Sequence, residues 1–337
     1  MKSSELDQFS SATMGKVHDL ANLISERQQF VLTTHYDADG DGLGAEAALT
    51  AGLRQLGKSV AVLNNEATPR RYRFLDGDHL FRRYDPAKHR HLVARSDVLI
   101  LLDASRRDRM HRLETALAGF GGRTAILDHH RGGGWGDVEV IESEACSTTE
   151  LVCTLLDSLG LDLTPQIAEA LLVGVLVDTG SLTNPNATSR ACRIAARLID
   201  AGAEVERLRE ALFASWPLER LRLEAQFLAG LRTRHHGRLI WGVVDHQALT
   251  RWRQGPSATE GLAERALAVR HTQLSVLFLE EAEQVRVRLR SRGRVRVDDL
   301  ARSLGGNGHA GAAGAKVPGP LRAAIHRVLG EASTLLR

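Results

Sequence analysis

Short apolar runs alternate with segments of helical spacing between residue 30 and about residue 200. The runs typical of strands cover 30–34, 59–63, 97–102 and 124–127. The segments with helical periodicity cover 43–56, 147–159 and 165–177. This alternation predicts an α/β fold with a mostly parallel sheet and helices on both of its faces.

A second α/β region follows a helical stretch. Residues 205–231 are rich in Leu, Arg and Glu and contain one helix breaker, Pro217, so we expect a helical connector there. The strands and the helix predicted beyond it cover 239–244, 274–279 and 259–268. The predicted organisation is therefore a first α/β domain, a connector and a smaller α/β domain, over 1–205, 206–232 and 233–337.

The smaller domain contains a strand-like segment with an unusual arginine pattern. Arginine occupies every even position from 286 to 296, so one strand face would be apolar and the other basic, with a bend at Gly293. A solvated outer face or a protected sheet edge would show the same pattern. The glycine-rich run at 304–314 favours phosphate binding instead, because glycine lets backbone N–H groups approach an anion and His309 would add a donor.

Composition narrows the class of protein. The 337 residues suit two domains, and 43% of them are hydrophobic, enough for ordinary cores. The net charge of +3 is too balanced to mark a general nucleic-acid coat. Of the 44 basic residues, 39 are arginine; a genomic preference for arginine codons explains that abundance, so only the local arrangement of arginines carries information.

Nothing in the sequence indicates export or a membrane. No run approaches the ~18 consecutive apolar residues of a membrane span, and residues 1–8 lack a basic patch followed by an apolar core. The cysteines at 146, 153 and 192 are odd in number and lack CxxC spacing. We therefore expect reduced, structural thiols in a cytoplasmic protein.

Acidic and histidine residues follow four of the apolar runs. They lie in the segment 35–41, at Asp103, in Asp128-His129-His130, and at Asp178. Each cluster alone would commonly be a turn or a helix cap. Their joint occurrence at the ends of strands or helices is different, because such ends meet at one crevice of an open α/β sheet. Carboxylates gathered there would repel one another unless something positive held them, and a pair of divalent metal ions is the simplest candidate.

Six residues are the candidate metal ligands: His35, Asp39, Asp41, Asp103, His129 and Asp178. Manganese and magnesium favour carboxylate oxygen, and manganese also accepts imidazole. Two metals about 3.5–4 Å apart generate a hydroxide and clamp a phosphoryl group. Serine-nucleophile catalysis, Walker A chemistry and a zinc finger lack their motifs or spacings in this sequence.

The clusters resemble the motifs of the DHH phosphoesterases. Asp128-His129-His130 resembles the signature that gives the family its name. Segments that resemble further motifs of the family, in the family's order, cover 34–44, 101–105, 147–150 and 173–180. The tail, residues 305–309 with 312–314, resembles the glycine-histidine motif of the DHHA1 domain.

The resemblance implies a DHH catalytic domain and a DHHA1 substrate-binding domain with an active-site cleft between them. It implies two Mn²⁺ ions per site, with Mg²⁺ or Co²⁺ as substitutes. One ion would be held by His35, Asp39, Asp103 and Asp178, and the other by Asp41, Asp103 and His129. The implied catalytic residues are Asp128 and His130, the latter facing the substrate phosphate or the leaving oxygen. The implied substrate-binding residues are Arg290, Ser291, Gly306, Gly308 and His309, of which Arg290 and His309 would grip a terminal phosphate.

The size and the tail resemble bacterial nanoRNase/pAp phosphatases. The implied substrates are short RNA or DNA oligonucleotides and phosphorylated nucleotides such as 3′-phosphoadenosine 5′-phosphate (pAp), and members of the family often form homodimers. A phosphodiesterase for cyclic dinucleotides or their linear products (pGpG, pApA) has the same cleft chemistry and stays an alternative. The tail motif argues against an inorganic pyrophosphatase. A non-catalytic nucleotide-binding protein would require lost ligands, and none of the six is lost.

The sequence departs from the family pattern at two places. Asp37-Ala38 stands where many members have Asn-Pro, which makes the segment resemble the Asp-Tyr-Asp-Ala-Asp-Gly of RecJ-type nucleases. In that register Asp37 and Asp39 would be the ligands instead of Asp39 and Asp41. Gly44-Ala45 falls where the family has its Gly-Ser turn, which favours the register with His35. Asn307 replaces a usual glycine, and Asn is a tolerant residue at positive φ.

Overall fold

The computed structural model describes residues 9–214, 216–308 and 310–336. The chain divides into two compact units, Met1–Ser215 and Trp216–Arg337. The division falls inside the predicted connector at 206–232, where the described residues form two helices, Val205–Phe213 and Leu218–Ala229. No helix in the described ranges is long and apolar enough to cross a bilayer.

The first unit is an α/β domain. Its described strands are β1 (Gln29–Thr34), β2 (Ser59–Asn64), β3 (Phe81–Arg83), β4 (Val98–Leu102), β5 (Arg123–Asp128) and β6 (Val138–Ile141). Its described helices are α1 (Ser11–Glu26), α2 (Gly40–Gln55), α3 (Pro86–Arg95), α4 (Thr148–Ser158), α5 (Pro165–Asp178), α6 (Ser189–Asp200) and α7 (Val205–Phe213). Short 3₁₀ segments cover Arg70–Leu75, Gly77–His79 and Arg107–Leu117.

The six strands form one sheet in the order β3-β2-β1-β4-β5-β6, and every neighbouring pair is parallel. The strands β2 and β3 are therefore added on one side of β1. The strands β4, β5 and β6 are added on its other side. Ligands of such doubly wound sheets bind outside the carboxyl ends of the strands where the order reverses, which here lies between β1 and β4.

Both faces of this sheet are buried, as the apolar runs predict. Phe30 and Leu32 of β1 pack into a large core with the helices α1, α2, α4, α5 and α6. Val31 points the other way, into a smaller core with α3 and the 3₁₀ segment at 107–117. A strand buried on both faces needs an unbroken apolar sequence, which is why Val98–Leu102 is apolar at every position.

The second unit contains a mixed sheet. Its described strands are β7 (Arg232–Arg234), β8 (Leu239–Val244), β9 (Leu274–Glu280), β10 (Gln284–Ser291), β11 (Asn307–Gly308) and β12 (Ala312–Pro318), in the order β11-β12-β10-β9-β8-β7. Its described helices are α8 (Leu218–Ala229), α9 (His246–Arg251), α10 (Leu262–Leu267), α11 (Asp298–Ser303) and α12 (Leu321–Thr334). A 3₁₀ turn covers Pro256–Thr259. Among these described strands β8 and β9 pair in parallel, and the other neighbours are antiparallel.

The arginine-bearing strand is shorter than the alternation suggests. Val285, Val287 and Leu289 are buried in the core beneath α11 and α12, and the arginines between them point to the opposite face, as predicted. The strand ends at Ser291, and Gly293 takes a positive φ of 67° in the turn that follows. The arginines at 294 and 296 therefore lie outside the strand.

Candidate active site

The predicted metal ligands converge at the carboxyl edge of the parallel sheet. His35 follows β1, Asp103 follows β4, and His129 follows β5. Asp41 lies in the first turn of α2 and Asp178 is the last residue of α5. The side chains of all six, Asp39 included, enter groups in which the potential ligand atoms lie within 4.8 Å of one another.

Three such groups are present among the described residues. They are His35/Asp39/Asp103, Asp41/His129/Asp178 and Asp103/His129/His130. His35 Nε2 lies 3.3 Å from Asp103 Oδ2 and 4.0 Å from Asp39 Oδ1. Asp103 and His129 each belong to two groups, so these two side chains join the cluster into one site.

Asp178 lies in a different group from the one that the family resemblance implies. That resemblance pairs Asp178 with His35, but Asp178 Oδ2 lies 2.9 Å from His129 Nε2, beside Asp41. The cause is the close packing of α2 against α5. A Cβ on Gly44 would overlap the carbonyl oxygen of Ala170. The absence of that side chain lets the two helix backbones approach, which brings the end of α5 to the start of α2.

The loop after β1 settles which acidic residues of the first motif face the site. Asp39 caps α2, accepting hydrogen bonds from Asp41 N at 3.0 Å and Gly42 N at 3.4 Å. This cap starts the helix at Gly40, three residues before the predicted start, and turns Asp41 into the buried interior. Asp37 is exposed and belongs to none of the ligand groups found among the described residues. The geometry therefore agrees with the register that uses His35, Asp39 and Asp41.

Residues at the start of α4 hold two of the carboxylates in place. Thr148 N and Thr149 N donate to the two oxygens of Asp41 at 2.6 and 2.9 Å. Thr148 Oγ1 donates to Asp103 Oδ1 at 3.1 Å. The first turn of a helix is favourable for a carboxylate, because its N–H groups lack helical partners and carry partial positive charge.

The sequence pattern at 147–150 resembles a family motif but does not predict that Thr148 and Thr149 bind the carboxylates. Ser147 caps α4 by accepting from Glu150 N at 3.2 Å, and the Glu150 carboxylate accepts from Cys146 N at 2.6 Å. The spacing Ser-x-x-Glu is the sequence signal of such a capped start. This spacing predicts that a helix starts at Ser147. It does not predict that the first turn of the helix binds the carboxylate of Asp41, which lies more than a hundred residues earlier in the chain.

Asp103 has an uncommon backbone conformation. Its φ is 59°, in the left-handed region that Asp enters more readily than most residues. Its N–H donates to Leu127 O at 3.0 Å, which continues the pairing of β4 with β5 by one residue. The left-handed conformation ends the strand there, and the carboxylate lies between His35 and His129.

The site is a buried concentration of charge. Asp41 is 0% and Asp103 is 3% exposed. Burial and the charge of Asp178 raise the pKa of Asp41 to about 7, and burial with the charges of Asp41 and Asp39 raises that of Asp103 well above its ordinary range. Burial would lower the pKa of His129, but its hydrogen bond and charge interaction with Asp178 prevail and raise it to about 10. Carboxylates so close together repel one another, and positive charge in the cluster favours their ionised form.

His130 and Asp128 occupy different positions in the cluster. The side chain of His130 is 34% exposed, and its Nδ1 lies 2.7 Å from Asp128 Oδ1. Asp128 is fully buried and also accepts from His130 N at 3.0 Å. Burial raises the pKa of Asp128, but the contacts with His130 outweigh it and the net pKa is lowered. Asp128 therefore contacts His130 from a buried position, and its predicted catalytic role stays a prediction.

The predicted substrate-binding residues lie in the second unit. Arg290 Nε pairs with Glu264 Oε1 at 2.5 Å, and Ser291 N donates to Gly311 O at 2.9 Å. Ser291 therefore borders the glycine-rich segment. A Cβ at Gly306 would overlap Gly314 O, so this position requires glycine.

The other predicted residues of this segment differ in their backbone conformations. Gly308 takes a φ of 141°. Asn307 does not take the positive φ expected of it; it pairs with Gly314 in the β11–β12 ladder. His309 lies outside the described residues.

Comparisons with known proteins agree with both units. The model of the DHH family, N-terminal domain, matches residues 29–175, and that of the DHHA1 domain matches 249–334. The bifunctional oligoribonuclease and PAP phosphatase NrnA of Thermus thermophilus is 31% identical over 303 residues, 88% of this chain and 87% of that protein.

Two solved structures share the fold. An exopolyphosphatase-related protein from Bacteroides fragilis superposes with a TM-score of 0.89 at 22% identity, covering 96% of this chain and 98% of the other. The manganese-bound exonuclease RecJ superposes with a TM-score of 0.56 at 18% identity, covering 94% of each chain.

Proposed function

Because this chain belongs to the DHH/DHHA1 phosphoesterase family, we propose that it hydrolyses short oligonucleotides and the 3′-phosphate of pAp with two divalent cations, preferably Mn²⁺. The observation that carries the proposal is the pair of ligand groups His35/Asp39/Asp103 and Asp41/His129/Asp178, which lie side by side at the reversal point of the sheet.

The residues fit such ions. Carboxylate and imidazole donors in these numbers suit Mn²⁺, and cations in the cluster would offset the repulsion that raises the pKa values of Asp41 and Asp103. His35, Asp39 and Asp103 would hold one ion, and Asp41, His129 and Asp178 the other, with Asp103 near both. Bound ions of this kind supply an activated water and charge stabilisation of the phosphoryl group.

The chain's own residues would orient the reaction. Thr148 and Thr149 fix Asp41, and Thr148 also fixes Asp103, so the ligand positions do not rearrange as charge develops. His130, held at Nδ1 by Asp128, is the partly exposed imidazole and would meet the substrate phosphate or the leaving oxygen. Arg290, Ser291 and the glycine-rich segment would bind a terminal phosphate, which restricts the substrates to short ones.

A comparison of Asp103→Asn with Asp37→Asn tests the proposal. Each change replaces a carboxylate with an amide in one of the motifs of the first unit. Of the two residues, only Asp103 belongs to the ligand groups. Asp103→Asn should lower kcat for pAp and for a dinucleotide by about 1000-fold or more, equal to about 4 kcal/mol, and should reduce bound Mn²⁺ measured by equilibrium dialysis. Asp37→Asn should change neither quantity more than about twofold.

The substrate panel separates the alternatives. It contains pAp, pGpG, pApA, cyclic dinucleotides and RNAs of about two to ten nucleotides, all assayed with Mn²⁺. Preference for pGpG or a cyclic dinucleotide over pAp and RNA would replace the proposed substrates with the alternative. Full turnover by Asp103→Asn would remove the ligand groups from the mechanism.

A further inference from the structure

The segment 179–188, between α5 and α6, turns back on the end of α5. Three consecutive residues just beyond the helix have left-handed φ angles of 55°, 58° and 64°: Gly180, Ser181 and Leu182. Glycine adopts this conformation freely, but for serine and leucine it costs free energy and persists only where the surrounding structure holds it. A strained turn that is retained indicates that the position of the residues beyond it matters.

Asn186, four residues beyond this turn, joins two other parts of the first unit. Its Nδ2 donates to Asp178 O at 3.2 Å and to Cys146 O at 2.9 Å. Both partners are carbonyl oxygens, so only the NH₂ end of the amide can face them. One side chain thereby links the last residue of α5 to the residue that precedes Ser147, the N-cap of α4.

Both linked residues belong to the surroundings of one ligand group. Asp178 is a member of the group that also contains Asp41. Cys146 lies two residues before Thr148, whose N–H donates to Asp41 at 2.6 Å. Asn186 therefore connects the backbone of one candidate ligand with the helix start that holds another.

A second side chain at the start of α6 holds the same segment before α4. Arg190, in the first turn of α6, pairs with the fully buried carboxylate of Glu150 and donates from Nη2 to Glu144 O at 2.6 Å. The Glu150 carboxylate also accepts from Cys146 N at 2.6 Å. Both backbone polar groups of Cys146 are thus hydrogen-bonded, and the start of α6 is tied to the segment 144–150 by more than one bond.

We propose that Asn186 is a positioning residue for the cation expected at Asp41, His129 and Asp178, an inference that rests on the proposed two-cation site. Asp41 and Asp178 come from different helices, and their carboxylates repel one another while no cation separates them. The two hydrogen bonds of Asn186 hold the end of α5 against the start of α4 despite this repulsion. Less of the free energy of cation binding is then used to bring the ligands together.

A pair of asparagine variants tests the proposal. Asn184 lies in the same segment, and its Nδ2 also donates to Asp178 O, at 3.1 Å. Asn186→Ala and Asn184→Ala therefore remove a donor to the same carbonyl oxygen, but only Asn186→Ala removes the bond to Cys146. Equilibrium dialysis of the metal-free chains against Mn²⁺, without substrate, measures the two affinities in each chain.

Asn186→Ala should weaken the binding of one Mn²⁺ by about 10–100-fold and leave the other within about threefold of the parent. Asn184→Ala should leave both affinities within about threefold, because the Asn186 bridge remains. Thermal midpoints of the metal-free chains should stay within about 4 °C of the parent. Asn186→Asp, which keeps the shape of the side chain but cannot donate, is the second variant, with Asn184→Asp as its control.

Electron paramagnetic resonance separates a positioning role from a general structural one. Two Mn²⁺ ions about 3.5–4 Å apart couple their spins, whereas a single bound ion gives an uncoupled spectrum. At limiting Mn²⁺ the parent should show the coupled pair and Asn186→Ala mostly the single ion. Excess Mn²⁺ should restore the coupled spectrum of the variant, since the ligands themselves are intact.

Three results would overturn the proposal: unchanged Mn²⁺ affinities in Asn186→Ala, equal losses in the Asn186 and Asn184 variants, or equal weakening of both ions together with a large drop in the thermal midpoint. Failure of the proposed function is distinguishable, because these measurements need no substrate. A parent chain that binds two Mn²⁺ ions but hydrolyses neither pAp nor RNA would contradict the proposed function alone. An active parent without the selective loss in Asn186→Ala would contradict only the positioning role.

Discussion

In the first unit the candidate metal ligands lie after parallel strands and at the ends of two helices, whereas in the second unit the predicted substrate-binding residues lie on an antiparallel strand and in the glycine-rich segment beside it. The first arrangement brings residues from distant parts of the sequence, such as His35 and Asp178, into one largely buried cluster. The second spreads arginines over a partly exposed surface, where Arg286 and Arg290 of β10 each pair with one carboxylate.

The difference shows what each architecture is suited to bind. Parallel strand ends and helix starts provide fixed positions for closely spaced ligands. Charges there cost free energy unless they are compensated, as the raised pKa of Asp41 indicates. Arg286 and Arg290 of β10 are only partly buried and each pairs with a carboxylate, so their charge carries a smaller desolvation cost.

The glycines of the two units provide a direct test of this contrast. Gly174 and Gly330 both lie inside helices, α5 and α12, but a Cβ at Gly174 would overlap Thr149 Oγ1 and Asp41 Oδ1, whereas nothing lies within 4 Å of one at Gly330. Gly174→Ala should lower the free energy of unfolding by about 1–3 kcal/mol through overpacking. Gly330→Ala should raise it by up to about 1 kcal/mol through helix propensity. Urea unfolding measures both, and a stabilising Gly174→Ala would mean that the α2–α5 contact is looser than described.

The next test concerns the hydrogen bond that holds Asp103. Thr148→Val keeps the size of the side chain and the N–H that reaches Asp41 but removes the hydroxyl that donates to Asp103. Mn²⁺ affinity or kcat should fall by about 10–100-fold, the usual cost of removing a group that orients a ligand. Thr154→Val, whose hydroxyl donates to Glu150 O in the same helix, is the matched control and should change neither quantity. Equal losses in both variants would point to a general effect on α4.

Burial of the Glu46 carboxyl should also make the stability of the first unit depend on pH. This residue is 0% exposed, Asn64 Nδ2 donates to its Oε2 at 2.7 Å, and burial raises its pKa from 4.5 to about 8. Stability from the neutral acid is fully present below pH 4.5 and is lost as the pH rises towards about 8. Relative to Glu46→Gln, which does not titrate, the wild type should lose about 1.4 kcal/mol per pH unit across that window. Parallel pH profiles of the two chains in urea unfolding would show that Glu46 is ionised throughout.

The smallest expected effect is on the second unit's binding of a terminal phosphate. Arg290→Gln should raise the KM for pAp by about tenfold and leave kcat nearly unchanged, because a charge-assisted contact to a remote phosphate contributes to binding rather than to the chemical step. Arg286→Gln removes an arginine on the same strand face that pairs with Glu281, farther from Ser291, and serves as the control. A drop in kcat with unchanged KM for Arg290→Gln would place this residue in the reaction itself.

Much of the fold was predictable from local patterns. Unbroken apolar runs predict strands with both faces buried, such as β4. The alternation of arginine with apolar residues correctly predicted which face of β10 is buried. Short strands such as Phe81–Arg83 carry too few residues for any periodicity to show. The arginine pattern also continued past the true end of β10, because alternation alone does not reveal where pairing with a neighbour stops.

The sequence by itself determined which residue types stand at the ends of the apolar runs, and hence the six candidate ligands and the chemistry they favour. Only the tertiary structure decided how these residues are grouped. Asp178 joined Asp41 and His129 because glycines let α2 and α5 approach closely, Asp128 became buried beneath His130, and Thr148 reached Asp103 across the sheet edge. Local sequence specifies side-chain chemistry and backbone periodicity, whereas distances between residues far apart in the chain are set by how helices and strands pack.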